Sequence, residues 1–262
     1  MLKKLLTYLP FVLLLVIAGA AISFSQKQQR EAAFERVIIT INSDSAGNQL
    51  LVDEDILQIL EKHGDTIGKK IQDFDLMRTE QLIADNPFVS AAESYFDMHN
   101  TLHIQVEQRV PFVRIMGQSG DFYIDTTGQL VPLSPHFAPR VIVASGEIAQ
   151  AYRKNYNLFA PQNDTVPTEH SILQDIFRLN QAIASNELLQ ASIEQIYVTH
   201  GNEFFLISKI GPAKIEFGSI ENYKQKLQNL IAFYNSKKAQ ENWNQYRAIN
   251  VKYNNQVIGI KK

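Results

Sequence analysis

Thr101-Leu102-His103-Ile104-Gln105-Val106-Glu107-Gln108-Arg109-Val110-Pro111 is the stretch that decides the fold of this chain. From Leu102 to Glu107 apolar and polar residues alternate without a break, the mark of a strand with one face in a core and one in water. His99-Asn100 just upstream reads as a turn, and residues 89–98 as the other strand of a hairpin. Before that, Asn86-Pro87 ends a helix, because the residue preceding a proline is pushed out of helical angles. That helix has Asp75 as its cap and turns Leu76, Leu82 and Ile83 inward. An earlier helix opens at Asp53, a second cap, with Ile56, Leu57, Ile59 and Leu60 as its apolar face and Gly64 as its stop. Val37-Ile38-Ile39-Thr40-Ile41-Asn42 is β-branched and supplies the first strand. Residues 34–108 therefore read as one βααββ domain.

Working downstream, residues 109–262 read as a second, β-rich domain with two or three helices. Strands are expected at 112–116 and 121–125, joined by Gly117-Gln118-Ser119-Gly120, then at 129–131 after Thr126-Thr127-Gly128, and at 141–143. Residues 149–168 have no clear period. A helix follows from Pro167-Thr168-Glu169 to about Ser185, with Ile172, Leu173, Ile176, Leu179 and Ile183 at helical spacing. Strands at 193–199, 203–210 and 213–217 lead into a helix that begins at Ser219 or Glu221. Its stripe is Tyr223, Leu227, Leu230, Ile231 and Tyr234. A short piece at 241–246 and one or two strands at 248–253 and 256–260 close the chain. The fold class is α+β.

Working upstream, residues 5–24 carry no charged side chain and lie behind Lys3 and Lys4. A helix of that length spans roughly 30 Å, the hydrocarbon thickness of a bilayer. A cleaved signal peptide would share the basic start, and Ala18-Gly19-Ala20 resembles a cleavage site. The apolar run continues past it through Ala21, Ile22 and Phe24, which favours an uncleaved transmembrane helix. Residues 1–4 are then a cytoplasmic tail and residues 25–33 a polar stalk. The bulk of the chain is then expected beyond the membrane, on the side opposite that tail.

Composition bounds the chemistry. The 262 residues are 45% hydrophobic and 20% charged, with a formal net charge of -2, so nothing advertises a nucleic-acid partner. There is no cysteine, which removes disulfides and thiol catalysis. No Walker loop, serine elbow, zinc-protease or dinucleotide motif occurs. His99 and His103 would lie about 13 Å apart on a strand, too far to share a metal ion. Asp121 and Asp125 read as residues that border a strand and cap turns, rather than as an acid–base pair. No catalytic residue, cofactor, metal site or small-molecule substrate is expected.

The order of these pieces resembles a known family. "LLVDEDIL", "LIADNPFVSAAESYFDMHNTLHIQVEQRVPFVRI" and "FYIDTTGQLVPLS" are similar to a POTRA domain running into the β-rich domain of FtsQ/DivIB, a single-span bacterial cell division protein. The joining strand of that family ends in an acid, a variable residue, Arg and Pro; here Glu107 is followed by Gln108, Arg109, Val110 and Pro111. "FGSIENYKQKLQNLIAFY" resembles the Bacteroidetes-type branch. The family's terminal strand reads apolar, Asp, apolar, Arg, Tyr, whereas this chain has Ile249, Asn250, Val251, Lys252 and Tyr253. The resemblance implies a non-enzymatic divisome scaffold linking division proteins to septal peptidoglycan synthesis. FtsB/FtsL-type partners would bind its C-terminal domain, and other divisome proteins its POTRA-like domain. An export or outer-membrane assembly component with POTRA modules, or a periplasmic hydrolase, are the alternatives.

The residues expected to bind a partner are Trp243, Tyr246, Ile249, Val251, Lys252, Tyr253, Val257, Ile258 and Ile260. A last strand lies at a sheet edge, and an edge offers unpaired N–H and C=O groups to another chain's strand. The aromatic stripe Tyr223, Phe233, Tyr234, Trp243 and Tyr246 also reads as ordinary core. Lys252, Lys261 and Lys262 read as a positive rim, Lys261 and Lys262 alternatively as protection of the edge against aggregation.

Overall fold

The computed structural model describes residues 14, 16, 17, 19, 32–43, 47, 49–160, 171–211, 214–237, 241, 243–253 and 256–262. The expected membrane span at 5–24 lies largely outside them. Leu14, Val16, Ile17 and Gly19 are helical, and among the described residues no helix is long and apolar enough to cross a membrane. The described residues fall into two compact units, one closing at Gln108 and the other running on from Arg109.

In the first unit, β1 (Arg36–Asn42), α1 (Asp53–Lys62), a 3-10 turn (Ile71–Asp73), α2 (Leu76–Ala84), β2 (Val89–Phe96) and β3 (Thr101–Gln108) follow in order. The sheet order is β1-β3-β2, with β3 parallel to β1 and antiparallel to β2. The alternation in β3 has its expected effect: Leu102, Ile104 and Val106 are at most 1% exposed, while Gln105 and Glu107 face water. Ile56, Leu60 and Ile83 from the helices close over them with Phe34, Leu51 and Phe74. Each such side chain contributes roughly 1.5–3 kcal/mol by leaving water. Phe34, Phe74 and Phe96 meet pairwise with centroids 5.3–5.7 Å apart.

Asp75 caps α2 by accepting the Arg78 N–H at 3.0 Å. Asp53 does not cap α1. It is the first helical residue, and Asp55 reaches back to accept the Val52 N–H at 3.0 Å. His99-Asn100 does form the hairpin turn, with Asn100 at a φ of 58° and the Asp97 carboxylate accepting the N–H groups of His99 and Thr101.

In the second unit, a nine-stranded sheet has the order β12-β11-β10-β9-β8-β7-β4-β5-β6. Its strands are β4 (Pro111–Gly117), β5 (Gly120–Asp125), β6 (Leu130–Val131), β7 (Ile142–Gly146), β8 (Ile193–Val198), β9 (Phe204–Ser208), β10 (Lys214–Gly218), β11 (Tyr246–Asn250) and β12 (Ile258–Lys261). The helices are α3 (Ile172–Ala184), α4 (Glu187–Ser192) and α5 (Tyr223–Tyr234). Val113, Ile115, Ile196, Leu206, Ile215 and Ile249 pack with Ile176, Leu179 and Ile183 of α3 and with Leu227 and Leu230 of α5. Strands and helices thus form two layers around one apolar core.

Several boundaries differ from the sequence reading for local reasons. α4 was not expected; Asn186 starts it by accepting the Leu189 N–H at 3.1 Å. The helix expected from Pro167 is described from Ile172, residues 161–170 lying outside the described set. α5 begins at Tyr223, because Asn222 takes a left-handed φ of 52° that no helix can continue through. β9 stops at Ser208, whose hydroxyl oxygen accepts the Ile210 N–H at 3.2 Å and turns the chain.

The junction motif has a physical reason. Asp125 is 1% exposed, and its carboxylate accepts from Arg109 Nη1 at 3.0 Å, Thr127 N at 2.8 Å, Thr127 Oγ1 at 2.7 Å and Gln129 N at 2.9 Å. Arg109 is therefore the countercharge for the turn after β5. Asp121 pairs instead with Arg114 at 2.8 Å. Both aspartates are occupied structurally, as the sequence reading favoured.

Candidate partner-binding edge

Among the described residues β12 is the outermost strand of the nine-stranded sheet, bonded on one side only, to β11. The Lys262 N–H donates to Gln245 O at 3.0 Å, on the β11 side. Backbone groups alternate in direction along a strand, so the N–H and C=O groups of Gly259 and Lys261 face the open edge.

The edge rests on aromatic residues held inside the chain. Trp243 stacks on Tyr234 at 5.4 Å and 12°, and Tyr234 donates its hydroxyl to Ser208 Oγ at 3.2 Å. Burial pushes the Tyr234 phenol up from its ordinary pKa, against the opposing effect of the Ser208 hydrogen bond. Gly211 lies under Trp243, where a Cβ would overlap the indole. Tyr246 meets Phe233 edge-on at 6.1 Å and covers Gly259, again leaving no room for a Cβ. Glycine is thus required in the middle of β12 by the ring across from it.

Beside the edge is a cross-strand polar network. Asn250 Nδ2 donates to Glu216 Oε2 at 2.7 Å, and Asn250 Oδ1 accepts the Lys252 N–H at 2.9 Å. Lys252 Nζ reaches Glu203 Oε2 at 2.7 Å and lies 6.0 Å from the Phe205 ring centre. Asparagine suits this position, since an aspartate would set one carboxylate against another. Lys226, only 4% exposed, donates Nζ to Ser219 O at 2.8 Å and sits 5.2 Å from the Phe217 ring centre. Burial pushes its ammonium pKa down, opposed by Glu221 and Glu203. A buried lysine inside an apolar helical stripe was not foreseen; its spacing from Tyr223 and Leu230 was the available signal.

The structure sorts the expected binding residues. Tyr253 and Ile258 are 54% and 42% exposed, and Val257 and Ile260 are half-buried at the edge. Ile249 and Val251 are corrections: both are 0% exposed, being turned into the helix-covered core, so neither side chain can touch a partner. Trp243 and Tyr246 support the edge from within. Lys252 is engaged by Glu203 rather than free as a rim charge, whereas Lys261 and Lys262 are exposed. Val257 lies just before β12, and the expected strand at 248–253 stops at Asn250, where the Asn250 side chain takes the Lys252 N–H.

The family model described as FtsQ/DivIB, C-terminal related, matches residues 110–259, and a POTRA-like domain model matches residues 35–107. The chain belongs to the FtsQ/DivIB family. No curated protein matches it. The FtsQ/DivIB-type region thus takes in the nine-stranded sheet through Gly259, and the POTRA-like region corresponds to the βααββ unit.

Among the described residues no group of three or more His, Asp or Glu side chains is placed to hold a metal ion. His103 Nε2 lies 3.1 Å from Asp97 Oδ2, and its ring stacks on Tyr95 at 5.0 Å. The Thr101 backbone N–H and the His103 side chain hold the Asp97 carboxyl down at about 2.

Proposed function

We propose that this FtsQ/DivIB-family chain is a non-enzymatic scaffold of bacterial cell division that binds partners by strand addition at β12. The observation that carries the reading is the placement of the chain's last strand at an open sheet edge within a division-family domain. An added strand would bond to the outward groups of Gly259 and Lys261. Its side chains would meet Ile258, Ile260, Val257 and Tyr253 on the two faces of the ribbon. The partners are FtsB/FtsL-type membrane-anchored division proteins. The POTRA-like unit serves other divisome proteins, linking early and late steps to septal peptidoglycan synthesis. Residues 5–24 hold the chain in the inner membrane with its bulk in the periplasm, which confines the search for partners to two dimensions.

Lys261→Pro tests this reading. Proline removes an N–H that faces away from β11, so the fold survives while the added strand loses a bond and meets the ring. Capture of an FtsB/FtsL-type partner should fall at least about tenfold, with the melting temperature unchanged. Undiminished capture would rule out strand addition at β12. Depletion of the chain in its host should give filamentous cells.

A further inference from the structure

The four sheet edges among the described residues are not equally protected. β6 is two residues long and runs into Pro132. β12 carries Lys261 and Lys262. β2 is stopped by Glu80 of α2, whose Oε1 accepts the outward Ser94 N–H at 2.7 Å and the Ser94 hydroxyl at 3.1 Å. β2 also has an irregularity between Val89 and Ala91. All are recognised ways of blunting an edge.

β1 has no such device. Its seven residues are Arg36-Val37-Ile38-Ile39-Thr40-Ile41-Asn42, with one charge, no proline and no irregularity in its pairing with β3. Upstream the edge is closed: Phe34 donates its N–H to Lys69 O and accepts from the Gly68 N–H. That cover ends before β1. Among the described residues, β1 pairs only with β3. Glu35 bonds toward β3 through Asn100 O, and Phe34 bonds to the other side. On β3 the Thr101 N–H and C=O both bond to Asp97 on the β2 side, and Ile104 pairs with the outward-facing Ser94, so the backbone groups of Leu102, Ile104 and Val106 turn toward β1. In the parallel register those groups bond to Arg36, Ile38, Thr40 and Asn42, which leaves the backbone groups of Val37, Ile39 and Ile41 facing outward.

We infer that β1 pairs antiparallel with β1 of a second copy, about a two-fold axis at Ile39. This register places Ile38 opposite Thr40 of the second copy, and Arg36 opposite its Asn42. Val37 opposite Ile41, and Ile39 opposite its mate, bring the residues with outward groups face to face, and each outward N–H and C=O gains a partner. Val37 meets Ile41 and Ile39 meets Ile39 on the helix-covered face. These are β-branched pairs of the kind that stabilise sheets. The only charged residue of the strand meets an amide, so no like charges oppose each other. A shift of two residues would strand outward groups at both ends. The occupant that fits this edge is the strand's own sequence, and the interface is isologous, as a two-fold dimer requires.

The chain has no cysteine, so one introduced thiol reports on one position. In the full-length chain, Ile39→Cys should give a disulfide-linked dimer under mild oxidation, because the opposed residues of a hydrogen-bonded antiparallel pair have Cα atoms about 5.5 Å apart, within bridging range. Arg36→Cys, held about 20 Å from its mate in this register, should not. Ile38→Lys combined with Thr40→Lys, both on the exposed face, sets like charges opposite one another at two places across the seam and leaves the β1–β3 ladder intact, so dimerisation should weaken about tenfold in sedimentation with little change in melting temperature. Equal cross-linking at 36 and 39, an unaffected dimer in the double lysine variant, or a wild-type chain that sediments as a monomer at every concentration would each overturn the proposal. These outcomes are independent of partner capture at β12, which the double lysine variant leaves intact.

Discussion

β12 and β1 each close one end of a sheet, and they do so by opposite means. β12 has four residues, a glycine in the middle and lysines at its end. β1 has seven residues, five of them Val, Ile or Thr. A short, charged ribbon gains little from a random neighbour and needs a partner with matching side chains. A long β-branched ribbon is receptive along its whole length. The support differs as well. β12 leans on Tyr246, and behind it on Trp243 and Tyr234, whereas β1 is backed by half-buried Val37, Ile39 and Ile41 against the helix layer. Selectivity at one edge is thus built from rings and charges, and adhesion at the other from backbone and β-branching.

The strongest way to break this contrast is Trp243→Ala. It removes the ring that fills the space over Gly211 and stacks on Tyr234, and should cost about 3 kcal/mol in urea denaturation of the nine-stranded sheet. Partner capture at β12 should fall with it, while cross-linking at Ile39→Cys persists. A variant that kept both stability and capture would deny the aromatic support its role. A milder effect is expected from Glu80→Ala, which leaves the Ser94 N–H of β2 without its carboxylate. The cost should be about 1 kcal/mol, and β2 should become a second adhesive edge, seen as larger species in sedimentation. The smallest effect concerns Asp97. Its carboxyl is held at about 2 against an ordinary 3.8, so its contribution to the β2–β3 hairpin is complete above the ordinary value. That contribution is lost as pH falls toward 2. Asp97→Ala should therefore flatten the stability profile between these limits and leave the pH 5–7 region parallel to wild type. A steeper acid limb would contradict the assignment.

Much of the fold was legible because period and punctuation agree. The alternation in 102–107, the Asn86-Pro87 stop and the Asp75 cap each fixed an element by local sterics or hydrogen bonding. The terminal edge position was also legible. Which side chains an edge strand exposes was not. Ile249 and Val251 look like their neighbours in sequence, yet their zero exposure follows from the helices packed on that face of the sheet. Lys252 looked like a free cation, and Glu203, far away along the chain, claims it.

The sequence by itself determined the order of elements apart from α4, the two folded regions and the family, since these rest on short-range rules of helix, strand and turn. Tertiary structure alone decided how open each edge is. Glu80 on β2, Tyr246 over Gly259 and Arg109 at Asp125 are contacts between residues distant in sequence, and only the packed chain brings such groups within hydrogen-bonding or van der Waals reach.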